Sequence, residues 1–252
     1  MRLYIVDAFT DSAFRGNPAG VVLLDAPADD SWMQSVAAEL KHSETAFVVT
    51  TSDPKSLRWF TPETEVDLCG HATLASAHVL GGSQVFTTRS GELRCMAKDG
   101  RIEMVFPADP PSPADDDVRA GLPSVPVEYV ARGVSDLLVV TTDAKHVREC
   151  EPDLDVVATW DARCVILTAP GDRPGVDFVS RVFGPAVGVP EDPVTGSAHC
   201  TLAPYWADRL GRTDLTGEQA SPRGGVVRAS VDGDRVTLAG TAVTVVEGEL
   251  LV

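Results

Sequence analysis

Short apolar runs bounded by turn residues dominate the chain and read as strands, and helical stretches are few. Leu3–Phe9 and Val21–Asp25 are the first two such runs, joined by the polar, Gly- and Pro-containing loop 10–20. Ser31–Leu40 reads as a helix with Asp30 or Ser31 available as N-cap. Glu44–Thr50 and Leu57–Phe60 read as strands, 62–68 as a loop, and 84–106 as a strand meander. Residues 108–126, rich in Pro, Asp and Ser, read as a linker. Beyond it come strands at Val127–Ala131, Asp136–Thr142 and Cys164–Thr168, a short helix near Asp153–Trp160, and closing strands from Val226 to Val252.

Two segments share one design. Residues 67–73 read Asp-Leu-Cys-Gly-His-Ala-Thr, and residues 191–199 read Glu-Asp-Pro-Val-Thr-Gly-Ser-Ala-His. Each sets a polar or reactive residue, then Gly70 or Gly196, then a short polar residue, before an apolar helical run. Such a helix start exposes backbone N–H groups where an anion binds well. The likeness continues downstream: helix, then R-x-G-x-x-R at 89–94 and 223–228, then an Asp-Gly hairpin turn at 99–100 and 232–233. Two helix ends aimed at one ligand point to a small carboxylate as substrate.

Composition narrows the function. The chain has 252 residues, 44% of them apolar, and a net charge of −16. That length and the internal repeat favour two domains. The strong negative charge argues against nucleic acid as a partner. No segment has the apolar length needed to cross a bilayer, and the strand-like start lacks a signal-peptide pattern, so a cytoplasmic protein is expected. Five cysteines at irregular spacing, with no C-x-x-C, do not form a disulfide framework.

Further motifs run in collinear order along nearly the whole chain: Asp7-Ala-Phe9, Gly16-Asn-Pro-Ala-Gly20, Ser43-Glu-Thr-Ala-Phe47 and Arg58-Trp-Phe-Thr-Pro62. They continue in Cys69-Gly-His-Ala-Thr73, Arg181-Val-Phe-Gly-Pro185, Glu191–Ser197 and Arg223-Gly-Gly225. In these residues the chain resembles the PhzF-like isomerases of phenazine biosynthesis. The resemblance implies an α+β fold similar to diaminopimelate epimerase, with two pseudo-symmetric halves, each a β-barrel-like sheet around a central helix. The halves are expected at 1–112 and 113–240, with the site between them, and with room for the last strand, 241–252, to return to the first half. A homodimer is implied too. The family's general acid/base falls on Glu44, and its active-site histidine, aspartate and serine fall on His71, Asp192 and Ser197. The resemblance does not transfer a substrate.

The residues also carry their own chemistry. Glu44 beside Phe47 and Val48 could have a raised pKa and shuttle a proton, or could be a solvent-facing strand-end glutamate. His71, at a helix start, is expected neutral, as hydrogen-bond partner or relay; His78 further along reads as packing. Asp192 could orient His71 or bind a substrate amine, or simply serve a turn before Pro193. Ser197 could cap its helix or hold the substrate carboxylate. Gly70 and Gly196 allow close approach of backbone to ligand. Cys69 and Thr195 hold equivalent positions, where two-thiol epimerases have cysteine twice; one thiol alone excludes that mechanism. Zinc held by Cys69/His71 with His199/Cys200 is disfavoured, because neighbouring helix positions point about 100° apart. No metal and no cofactor are expected, and no nucleotide-binding or serine-hydrolase motif is present. The leading reading is a cofactor-independent isomerase acting on a small carboxylic acid. The rivals are a racemase using Cys69 and Glu44, and a non-catalytic binding or scaffold protein.

Overall fold

The computed structural model describes residues 1–252. Residues 1–105 with 239–252 form one compact unit, and residues 106–238 form another.

In the first unit β1 (Arg2–Ala8) runs antiparallel to β2 (Asn17–Leu24). Helix α1 (Asp30–Leu40) then carries the chain over to β3 (Glu44–Val49), parallel to β2. β4 (Lys55–Phe60) returns antiparallel, with the short β5 (Glu65–Val66) on its end. After α2 (Gly70–Leu80) comes the meander β6 (Gln84–Thr88), β7 (Gly91–Lys98) and β8 (Arg101–Pro107). β6 lies parallel to β4.

The expected loop 10–20 ends sooner than the sequence suggested: β2 already begins at Asn17. Pairing with β3 starts only at Ala19, so Pro18 lies ahead of that ladder and has a strand, β1, on one side only. Gly16 makes the preceding turn at φ +66, and a Cβ there would lie 2.1 Å from the Ala8 carbonyl oxygen. Only glycine fits.

The second unit repeats this order of ladders. It holds β9 (Ser112–Pro113), β10 (Val127–Arg132), β11 (Leu137–Thr141), α3 (Ala144–Arg148), α4 (Leu154–Val157) and β12 (Val165–Pro170). β13 (Phe178–Gly184), β14 (Val189–Asp192), α5 (Gly196–Leu210), β15 (Asp214–Gln219) and β16 (Gly225–Asp232) follow. β10 is antiparallel to β11, β11 parallel to β12, and β12 antiparallel to β13. β13 is then parallel to β15, which is antiparallel to β16. Strand for strand this is the sequence of pairings from β1 to β7, with α5 in the place of α2. After β17 (Arg235–Gly240), the last strand, β18 (Ala242–Glu249), pairs with β1 along its whole length. The first unit therefore contains both ends of the chain, and β1 lies between β2 and β18.

Both long helices are built to be enclosed. Residues 71–77 of α2 are all buried, so that helix has no polar face over this stretch. Its Gly-His-Ala-Thr-Leu-Ala-Ser-Ala run is mostly small, which lets β1, β2, β3 and β18 approach it closely. In α5 the buried set is Gly196, 198–203, Tyr205 and Trp206, and the helix packs on β15 and β16. No helix is long and apolar enough to cross a membrane.

One expectation is corrected. Residues 108–126 are not a free linker. Ser112 and Pro113 pair with β10, and Val118, Leu122 and Val125 are buried in the core of the second unit. Proline and aspartate dominate the segment and hide three apolar residues at near-helical spacing. The expected helix at 153–160 is shortened to α4, started by the Asp153 carboxylate on the Val156 N–H at 3.1 Å.

Candidate active site

Glu44 opens β3, beside Ala19 of β2, with its side chain 21% exposed. Just before it, the Ser43 hydroxyl donates to Oδ1 of the buried Asn17 at 3.3 Å. The Gly16-Asn17 and Ser43-Glu44 segments are thus joined side by side. His71 lies in the first turn of α2 and is buried. Its Nε2 stands 3.5 Å from Glu44 Oε2, and its Nδ1 stands 3.4 Å from Cys69 Sγ. Nε2 is an ion-pair distance from the carboxylate but has no hydrogen bond of good geometry. Burial, helped by His42, drives the His71 pKa down to about 3. Burial dominates, so the ring is neutral at neutral pH. A thiol can donate to Nδ1, which leaves the proton on Nε2, facing the carboxylate.

Cys69 is the N-cap of α2, extended at φ −143 and ψ 110, and its side chain makes no cap bond. Thr195 is the N-cap of α5 at φ −109 and ψ 104, again without a side-chain cap bond. Four residues on, each helix ties itself back to its cap carbonyl: Thr73 Oγ1 donates to Cys69 O at 2.6 Å, and His199 Nδ1 donates to Thr195 O at 2.8 Å. The two Gly-led starts are equivalent in backbone as well as in sequence. The first N–H groups of each, from Gly70 and Gly196 onward, are free of side-chain caps.

In the second unit Asp192 ends β14, and its Oδ2 accepts from the Thr195 hydroxyl at 2.5 Å. Gln219, fully buried at the end of β15, holds this turn from below. Its Oε1 accepts the Thr195 N–H at 2.8 Å, and its Nε2 donates to the Asp192 carbonyl at 2.7 Å. Ser197 lies one residue inside the helix and does not cap it; its hydroxyl accepts from Arg163 Nη2 at 2.9 Å. Arg163 is itself gripped by the buried Asp136 through two bonds of 2.9 and 2.5 Å.

The sequence reading missed Gln219, Arg163 and Asp136. Its only signal for them was polar residues at the ends of buried strands. Other residues of the resembling segments turn out to be braces. Arg58 grips Glu65 with two bonds of 2.7 Å, and Arg181 grips Glu191 at 2.7 and 2.8 Å. Ser221, just before the turn Arg223-Gly224, donates to the Pro193 carbonyl at 2.8 Å.

The zinc set weighed from sequence changes. His199 spends Nδ1 on the Thr195 carbonyl and packs on the Phe178 ring, with burial lowering its pKa to about 4. Burial pushes the Cys200 thiol up to about 12. Glu44, Cys69 and His71, by contrast, offer donor atoms that all lie within 4.8 Å of one another.

Residues 6–248 match the family described as phenazine biosynthesis-like protein. The chain belongs to this PhzF-like family. It is 46% identical over 260 residues to an uncharacterized isomerase of Halalkalibacterium halodurans, spanning 99% of this chain and 98% of that one. The crystal structure of a PhzF-family protein from Enterococcus faecalis is 41% identical, with a TM-score of 0.95 over 100% of this chain and 99% of that one. A predicted epimerase from Pseudomonas aeruginosa shares the fold, at 23% identity and a TM-score of 0.74 over 100% of this chain and 99% of that one. The PhzF-family crystal structure shares the α+β architecture of this chain.

Proposed function

We propose that this PhzF-like chain is a cofactor-independent isomerase that moves one proton on a small carboxylic acid. The observation that carries this reading is the Glu44–His71 pair, 3.5 Å apart beside the uncapped start of α2. The Glu44 carboxylate takes the proton from an activated C–H, and the electron pair left behind moves toward the substrate's unsaturated group. Backbone N–H groups at the Gly70 start favour the negative charge that develops. The neutral His71, with Nε2–H toward Glu44, orients the carboxylate and can share its proton. Protonated Glu44 then returns the proton to another position on the substrate and is regenerated. On this reading Asp192, Thr195, Ser197 and Gly196 bind the substrate, with Gln219 and Arg163 holding them in place.

The same geometry favours one base over two. Two bases on opposite faces of a carbon stand about 6–7 Å apart, since each approaches it to roughly 3–3.5 Å. The Cys69 sulfur and the Glu44 carboxylate are within 4.8 Å, too close to sandwich a carbon.

The test is solvent deuterium uptake into a panel of small unsaturated and amino carboxylic acids, read by mass spectrometry. Wild type is expected to label at least one of them, and Glu44→Gln to abolish labelling with the fold intact. Exchange at the wild-type rate in Glu44→Gln removes Glu44 from the mechanism. No exchange on any member of the panel favours a binding protein instead.

A further inference from the structure

The Glu44, Cys69 and His71 cluster has the chemistry of a metal site as well as of a proton relay. Thiolate, imidazole and carboxylate together are donors that zinc accepts, whereas magnesium and calcium avoid sulfur. Zinc bonds of about 2.0–2.3 Å in a tetrahedral shell put neighbouring donors roughly 3.3–3.7 Å apart. The Cys69–His71 contact of 3.4 Å and the His71–Glu44 contact of 3.5 Å already have that spacing. They use different ring nitrogens, and one ion takes only one. All three donors lie within 4.8 Å, so a turn of the imidazole or of the partly exposed carboxylate brings them onto one ion.

A second observation points the same way. His71 Nε2 is buried and makes no hydrogen bond of good geometry even with Glu44 Oε2 at 3.5 Å, an arrangement that costs free energy unless something else supplies a bond. His71 lies in the buried first turn of α2, and Cys69 stands two residues before it as N-cap. Glu44 gives the cluster its opening to solvent. The other four cysteines, Cys95, Cys150, Cys164 and Cys200, are buried elsewhere and have no such cluster around them.

We propose that Glu44, Cys69 and His71 bind a single zinc ion, with the fourth position open to water, and that the bound ion blocks proton transfer at Glu44. Binding replaces the thiol S–H bond with a zinc–sulfur bond and releases that proton to solvent; nothing is oxidised or reduced. The blockade rests on the reading of Glu44 given above, but the binding does not.

Cobalt, as a spectroscopic stand-in for zinc, tests the site in the full chain. Titration is expected to give a sulfur-to-cobalt charge-transfer band that saturates at one ion per chain and is erased by zinc. Cys69→Ser should lack the band. Glu44→Gln and His71→Asn should weaken binding at least about 100-fold, since changes behind a ligand already cost 10–100-fold. Circular dichroism checks that each variant folds. Should a variant not fold, X-ray absorption of the zinc-loaded wild type decides: one sulfur in the shell supports the site and none overturns it. The site is also overturned if wild type gives no band, if Cys69→Ser gives the same band, or if the Glu44 and His71 variants bind as wild type does. With zinc bound, deuterium uptake should stop and return when a chelator is added. Uptake that continues with the site loaded sinks the blockade and the assignment of Glu44 together, and leaves the metal site standing. Loss of uptake in Glu44→Gln without any cobalt binding sinks the metal site alone.

Discussion

Cys69 and Thr195 occupy the same backbone station at the starts of α2 and α5, both extended and neither capping its helix. Only one of the pair is ionisable to a useful degree. The Thr195 hydroxyl is spent on Asp192, while the Cys69 thiol faces His71.

That asymmetry predicts a mild phenotype for Cys69→Ala. With Glu44 as sole base, loss of the thiol removes a partner of His71 and some packing, for about a tenfold drop in deuterium exchange, or ~1.4 kcal/mol. A drop of roughly 10²-fold or more, with the fold unchanged, would mark the thiol as a base and end the one-base reading.

Gln219→Ala should destabilise the second unit. It strands the buried Thr195 N–H and takes a donor from the Asp192 carbonyl. An unmet buried donor or acceptor costs about 1–3 kcal/mol, so a loss of ~2–3 kcal/mol is expected in urea unfolding. An unfolding midpoint equal to wild type would show that the turn needs no support from β15.

Arg163→Ala should be worse than Arg163→Ala combined with Asp136→Asn. Asp136 is 3% exposed, and removing its partner leaves an uncompensated buried charge costing about 3 kcal/mol. Neutralising the aspartate should recover part of that loss in thermal or urea unfolding. A double variant no more stable than the single one would refute the pairing as the source.

His199 sets an acid limit. Its folded pKa of about 4 lies below the ordinary 6.5, so the unfolded chain takes up a proton that the native ring resists. Stability from this residue is therefore complete above about pH 6.5 and is lost as pH falls toward 4. Wild type should lose stability across that window, and His199→Gln should lose less. The carboxylates held by arginines are lowered alike in both proteins, so the difference between the two slopes belongs to His199. Identical slopes in the two proteins would contradict a neutral native His199.

What the sequence could show followed from local signals. A glycine ahead of a small, apolar run announces a helix start at 70 or 196 from neighbouring residues alone. Asp-Gly at 99–100 announces a hairpin, and Asp99 and Gly100 do adopt φ of 48 and 73. Glu44 carried no such signal; a glutamate at the head of a strand became conspicuous only within the resembling Ser43–Phe47 segment. The braces of the second unit were invisible because their partners are distant along the chain. Gln219 meets Thr195 from 24 residues away, and Arg163 meets Ser197 from 34. The packing of 108–126 was hidden for a different reason. Its proline and aspartate content describes its surface, while Val118, Leu122 and Val125 do the packing.

The return of β18 to β1 has a consequence for how the molecule is made. β1 is synthesised first and is paired on one side by β2, but its other edge waits for residues 242–249. Everything from 106 to 238 emerges in between as a separate compact body. During translation the second unit can complete its ladders while the first still has an open edge. The half of the chain that carries Glu44 is therefore begun first and closed last, and a ribosome that stops short of residue 242 releases a protein with an exposed β1 edge in that half.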